Sequence, residues 1–187
     1  MIPVTTISIR VKLNFCLSVA FGLILSTDLE DLVDEEEKKF EDILIDIDTA
    51  DIDFTLTNDE KSKVVCYEQD KVNHDVKVVD GALTISVEDT RKWYDYIGFN
   101  FGEQKITVYL TKTQYSSLVI KDDTGDIDVS SHFTFKNIDI DVSTGDVELK
   151  ASATENVKIT TTTGDISVEN ITATNLDVTA TTGDVEI

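Results

Sequence analysis

The chain reads as an all-β protein, a single-stranded parallel β-solenoid of about 19–20 residues per coil with an irregular N-terminal β cap. Three observations predict this. The phrase Thr-Gly-Asp followed by Ile or Val recurs at Thr124–Ile127, Thr144–Val147, Thr163–Ile166 and Thr182–Val185. Its glycines, Gly125, Gly145, Gly164 and Gly183, lie 20, 19 and 19 residues apart, and repetition at that period marks stacked units. Apolar pairs spaced by two flank every phrase, which is the periodicity of a strand with one face turned inward.

The pairs before the phrases are Leu118/Ile120, Ile138/Ile140, Val157/Ile159 and Leu176/Val178. Those after them are Ile127/Val129, Val147/Leu149, Ile166/Val168 and Val185/Ile187. Between lie Phe133 and Phe135, then Ala151 and Ala153, then Ile171 and Ala173, so one unit reads as three short strands joined by corners. Each coil buries its inward residues against its neighbours and cannot do so alone. Large rings in one coil opposite alanines in the next would fill a stacked interior. The glycines are the expected structural turns, because a sharp corner needs a backbone conformation that only Gly adopts without steric cost. Asp and Thr beside them can hydrogen-bond the turn.

A degenerate copy lies earlier, with Ile43 and Ile45 before Thr49-Ala50-Asp51-Ile52 and Phe54 after it. Strand-like runs come next near Lys63–Tyr67, Asp75–Val79, Ala82–Val87 and Lys105–Leu110, with Asp80-Gly81 as a hairpin signal. They are read as a cap covering the open strand edge of the first coil. The chain stops at Ile187 on an inward position in mid-coil, so the repeat is expected to continue in a longer reading frame, truncated here.

Arg10 and Lys12 precede an apolar run from Leu13 to Leu25, and the acidic stretch Asp28–Glu37 comes after it. That charge order leaves the N-terminus in the cytoplasm and exports the rest of the chain. The run suits a signal-peptide core or an uncleaved anchor, and the sequence leaves both open. The expected organisation is a signal or membrane anchor over 1–27 and an acidic spacer or short helix over 28–41. An N-terminal coil with its β cap then spans 42–115, and the Thr-Gly-Asp solenoid spans 116–187.

Composition excludes several functions. A net charge of −21 over 187 residues repels nucleic acid and anionic lipid surfaces. Arg10 and Arg91 are the only arginines, which leaves little material for a phosphate clamp. Cys16 and Cys66 are too few for a disulfide framework. The only histidines, His74 and His132, have no Ser or Cys beside them in a nucleophile–base motif. The acids recur in every coil, whereas a catalytic site is a single break in a pattern. No enzymatic activity and no cofactor are expected.

Two sets of residues remain as candidates for binding. Stacking would align Asp126, Asp146, Asp165 and Asp184 in a column. Unit charges about 4.8 Å apart repel by roughly 0.9 kcal/mol in water. Either turn hydrogen bonds absorb each carboxylate, or cations bridge the ladder, for which Ca²⁺ has the right oxygen-ligand chemistry. The glycine-dense nonapeptide of calcium-binding β-rolls is absent. The second candidate is Arg91 with Trp93, Tyr94, Tyr96, Phe99 and Phe101, rings that could stack on sugars, grip a partner or plug the first coil.

Ile43-Leu44-Ile45, Thr49-Ala50-Asp51-Ile52, Asp80-Gly81-Ala82-Leu83-Thr84-Ile85, Lys105-Ile106-Thr107-Val108-Tyr109-Leu110 and the serial Thr-Gly-Asp coils together resemble the bacterial DUF4097 "putative adhesin" family, over about residues 40 to 187. The resemblance implies an envelope-exposed β-solenoid, common in Gram-positive bacteria and often membrane-anchored, with some relatives in cell-envelope stress operons. The family has no established catalytic residues to carry over. Ala50 stands where Gly is usual, and Thr111 where relatives tend to place Pro. The expected function is an extracytoplasmic adhesin-like binding or structural module, secreted or anchored through residues 13–25. Its partner would be a cell-wall glycan, a host glycan or an envelope protein. The alternative is a membrane-anchored accessory of an envelope-stress response, and a third reading is a polysaccharide-active β-helix enzyme.

Overall fold

Alternating Ile, Val and Leu with Asp, Thr and Lys between them favour extended backbone with one dry face. The computed structural model describes residues 10–11, 39–59, 61–67, 72–89 and 104–187. Strands β1 (Arg10–Val11), β2 (Asp42–Thr49), β3 (Asp51–Leu56), β4 (Lys63–Tyr67) and β5 (Val72–Val79) come first. They are followed by β6 (Ala82–Asp89), β7 (Lys105–Leu110), β8 (Gln114–Thr124), β9 (Ile127–Val129) and β10 (Thr134–Thr144). The last are β11 (Val147–Leu149), β12 (Ser152–Thr163), β13 (Ile166–Val168), β14 (Asn175–Thr182) and β15 (Val185–Glu186). No helix occurs among the described residues. The signal or anchor segment at 13–25 lies outside them.

The strands form two mostly parallel sheets. One runs β1-β4-β7-β3-β9-β11-β13-β15, the other β14-β12-β10-β8-β2-β6-β5. Each Thr-Gly-Asp phrase is the corner at which the chain leaves a long strand of the second sheet and enters a short strand of the first. Successive corners lie in register, Thr49 beside Thr124, Thr124 beside Thr144, Thr144 beside Thr163 and Thr163 beside Thr182. The inward residues stack in columns such as Ile45, Ile120, Ile140 and Ile159, all fully buried. Every apolar pair therefore meets its counterpart in the next repeat, which is what makes the period visible in the sequence.

Each repeat contains two strands, where its spacing suggested three. Phe135 is continuous with the pair Ile138/Ile140 in the 11-residue strand β10, and Phe133 stands just before its first residue. A register irregularity against β12 falls between Phe135 and Asn137, and such a bulge bends a strand without ending it. Asn137, Asn156 and Asn175 line the bend, each side-chain amide donating to the carbonyl of the one before it at 2.7 and 2.8 Å. Inside the bend the rings of Phe40, Tyr115 and Phe135 stack with centroids 5.7 and 5.9 Å apart. Ala153 faces Phe135 in register and is equally buried, so small follows large along the column.

Chain order and stacking order differ near the start. β2 pairs with β8, Ile43 beside Leu118, and on its other side with β6, Ile43 beside Leu83. Likewise β3 lies between β9 and β7. The coil of β2 and β3 is thus held between β6 and β7 on one side and β8 and β9 on the other, although it precedes all four in sequence. β6 and β7, read from the sequence as part of the irregular portion, continue the parallel stack. The antiparallel strands are β4 against β7 and β5 against β6. Asp80 and Gly81 close the β5–β6 hairpin with φ of +50° and +82°, the pair of positive values that a type I′ turn requires. At the other end Leu176 and Val185 are exposed, while Val157 and Ile166, their counterparts one coil earlier, are buried.

Candidate binding surface

The corners are built by close backbone approach. A Cβ placed on Gly145 would lie 2.0 Å from the carbonyl oxygen of Gly125, and one on Gly164 2.0 Å from that of Gly145. No side chain fits there. The φ values of Gly145, Gly164 and Gly183, between +136° and +149°, also disfavour any L-residue. Ala50, whose φ is not positive, presents its carbonyl oxygen to the next corner, 2.1 Å from the Cβ position of Gly125.

This approach decides the fate of the aspartate column. Asp146 N–H donates to Asp126 Oδ1 at 2.8 Å, Asp165 N–H to Asp146 Oδ1 at 2.7 Å, and Asp184 N–H to Asp165 Oδ1 at 2.7 Å. Asp51 extends the ladder, accepting from Asp126 N–H at 3.0 Å. One oxygen of each accepting carboxylate is thereby occupied by a backbone donor of the next coil, so the bonds run between coils and not within the turn. Among the described residues no group of three or more His, Cys, Asp or Glu side chains is arranged to hold a metal ion.

A second acidic column runs beside the first. The outward residues of the short strands are Asp53, Asp128 and Glu148, in register on β3, β9 and β11. Together the two columns line an open groove of about 420 Å³ on the outer face of the first sheet, with Lys105 at one end. Lys105 pairs with Asp53 at 2.5 Å and Lys150 with Glu148 at 2.5 Å. Each lysine has its pKa raised, chiefly by the hydrogen bond to its carboxylate partner. Asp128 lies between the two acids. Partial burial pushes its carboxyl above the usual range and Glu148 adds to that, while Lys150 and Lys105 oppose. The face is dense in negative charge and short of internal cations.

The aromatic candidate, Arg91 with Trp93, Tyr94, Tyr96, Phe99 and Phe101, lies outside the described residues. The aspartate column is where its spacing put it. The second acidic column was missed, although its signal is present: Asp53, Asp128, Glu148 and Glu186 each follow the Ile or Val of a corner phrase. A residue between two inward apolar positions must point outward, and its recurrence as an acid makes a charged row.

The fold and this surface define a class, an all-β scaffold of stacked repeats with charged outer faces. The chain belongs to the Toastrack DUF4097 family, which matches residues 40–187. No curated protein matches it. Among solved structures, a "putative cell adhesion protein" from Clostridium sporogenes ATCC 15579 is similar at 11% identity and a TM-score of 0.52, covering 82% of this chain and 95% of that one. A "putative adhesin" from Bacteroides fragilis NCTC 9343 has 16% identity and a TM-score of 0.32, covering 80% and 92%. Another from Parabacteroides distasonis ATCC 8503 has 15% identity and a TM-score of 0.43, covering 79% and 68%. At such identities the Clostridium structure speaks for the fold alone.

Proposed function

We propose that this chain is an extracytoplasmic, non-enzymatic adhesin-like module, a single-stranded parallel solenoid that displays a flat face to a glycan or to an envelope protein. One observation carries the reading. The corner glycines and the corner aspartates are used up in holding coil to coil, so the repeats leave their regular outer surface for function. A scaffold of this kind suits recognition of an extended, repetitive or macromolecular partner more than chemistry on a small molecule. The Clostridium structure, named for cell adhesion, supports the same reading. The apolar run at 13–25, with positive charge before it and negative after, supports export and anchoring. It also keeps the envelope-stress accessory as the second reading, since an anchor serves a membrane partner equally well.

The test is retention of purified cell wall, host glycans and solubilised membrane proteins by the immobilised full chain. Retention of wall or glycan is expected. If Trp93→Ala abolishes it with an unchanged Tm, the aromatic segment is the binding face; a lowered Tm makes that segment a plug. Retention of a membrane protein alone replaces this reading with the accessory one. Retention of nothing refutes both.

A further inference from the structure

Two positions before each corner Thr, a third inward residue occupies one column: Ile47, Asp122, Val142, Thr161 and Ala180, in register across β2, β8, β10, β12 and β14. Asp122 is the only acid among them, and it is 3% exposed. Its Oδ1 accepts the N–H of Thr124 at 3.1 Å, and the N–H of Ala50 also acts on the carboxylate. Oδ2 is buried without a hydrogen-bond partner.

Two comparisons within the stack show what this group does. The corner N–H of Gly125, Gly145 and Gly164 donates to the carbonyl of Thr144, Thr163 and Thr182 at 3.0, 2.9 and 2.9 Å. The corresponding bond from Ala50 to Thr124 is absent, and the Ala50 N–H acts on the Asp122 carboxyl instead. Two coils further on, the hydroxyl of Thr161 donates to the carbonyl of Gly145, the corner of the preceding coil, at 3.4 Å. For Asp122 the preceding corner is Ala50. The Ala50 carbonyl oxygen and Asp122 Oδ2 crowd one point, the place of a Cβ on Gly125, at 2.1 and 2.7 Å. Two unprotonated acceptors turned to one buried corner disfavour each other, whereas a proton on Oδ2 gives that oxygen a hydrogen to donate.

We propose that Asp122 is held as a neutral carboxylic acid that clasps the corner of the 114–129 coil to the Ala50 carbonyl of the 42–56 coil, and that loss of its proton loosens this one joint. The surroundings favour the proton. Burial pushes the carboxyl up to about 7, the N–H groups of Thr124 and Ala50 oppose it, and the negative Asp123 of β8 and Asp51 of β3 add to it. β2 and β10 pack the apolar Ile47 and Val142 against it. The folded value lies above the ordinary 3.8, so the stability this group contributes is complete below that value and is lost as the pH rises through about 7. The joint it guards is the place where chain order and stacking order part.

The test is a carboxyl-carbon NMR titration of the full chain, with amide-exchange protection followed in parallel. Asp122 is expected to titrate near 7, and protection at Ala50 and Thr124 to fall over the same range while protection at Gly164 holds. Asp122→Asn keeps an acceptor and supplies a permanent N–H donor. It is expected to flatten the dependence of Tm on pH between about pH 4 and about pH 7, the span from the ordinary value to the folded one. A carboxyl titrating near 3.8 overturns the proposal, as does a Tm profile of Asp122→Asn parallel to that of the native protein. If the variant does not fold, the titration of the native protein decides alone.

Discussion

The carboxylate of Asp146 accepts the backbone N–H of Asp165 at 2.7 Å, one coil along the stack, and in doing so turns a row of like charges into a row of donor–acceptor contacts. The same contact repeats from Asp51 to Asp184, so the column that would repel itself as bare carboxylates is tied by the backbone beneath it. Hydrogen bonds to an ionised acceptor are stronger than neutral ones, which offsets the repulsion.

Asp146→Ala removes that acceptor and leaves the Asp165 N–H to water at an exposed corner. The expected loss is about 0.5–1.5 kcal/mol, measured by urea unfolding. Asp146→Asn retains an acceptor and removes a charge, and should be at least as stable as the native protein. Equal losses for Asn and Ala would show that charge, not acceptance, holds the corner.

Gly145→Val drives a branched side chain toward the Gly125 carbonyl, 2.0 Å from the new Cβ, at a φ of +149°. A destabilisation of about 1–3 kcal/mol is the least expected from the backbone alone, with the steric clash added to it. Gly81→Ala meets nothing within 4 Å and bears only the cost of its φ of +82°. Denaturant midpoints of the two variants should therefore separate clearly; equal midpoints would contradict the close approach of the corners.

Asp128 sits between Asp53 and Glu148, and its carboxyl is raised in the folded state, mainly by burial. Stability from such a group is present below its ordinary pKa and declines as the pH rises through the folded value. Asp128→Asn should raise Tm at neutral pH, and more at low salt than at about 1 M, where screening falls to roughly 3 Å. An unchanged Tm at low salt would mean that Lys105 and Lys150 already neutralise the face.

Phe135→Ala removes the ring at the end of the Phe40–Tyr115–Phe135 stack and opens a cavity opposite Ala153. The expected cost is about 3–5 kcal/mol by calorimetry or denaturant. A cost below about 1 kcal/mol would show that the bend collapses onto the space.

Much of the fold was legible because a stack repeats its local instructions. Ile138/Ile140, Thr144-Gly145-Asp146 and Val147/Leu149 each carry their own strand or corner signal within a few residues. Asp80-Gly81 announces its hairpin in the same way. The joining of Phe135 to Ile138 in one bent strand was not legible, since the bulge depends on how two neighbouring strands share hydrogen bonds. At the surface, the corner aspartates could be placed from spacing, but their acceptance of N–H groups from the next coil could not.

By itself the sequence determined the period of the stack, the inward and outward sides of each strand, and the positions where only glycine fits. These come from side-chain alternation and backbone sterics, which act over a handful of residues. The tertiary structure decided that the coil of β2 and β3 lies between β6 and β7 on one side and β8 and β9 on the other, and that Asp122 points into the core against Ala50. Both rest on contacts between segments 75 residues apart, Ile43 with Leu118 and Thr49 with Thr124. The physical reason is that several coils offer nearly equivalent apolar columns to β2. Only the summed fit of strands on both its sides selects the place it takes.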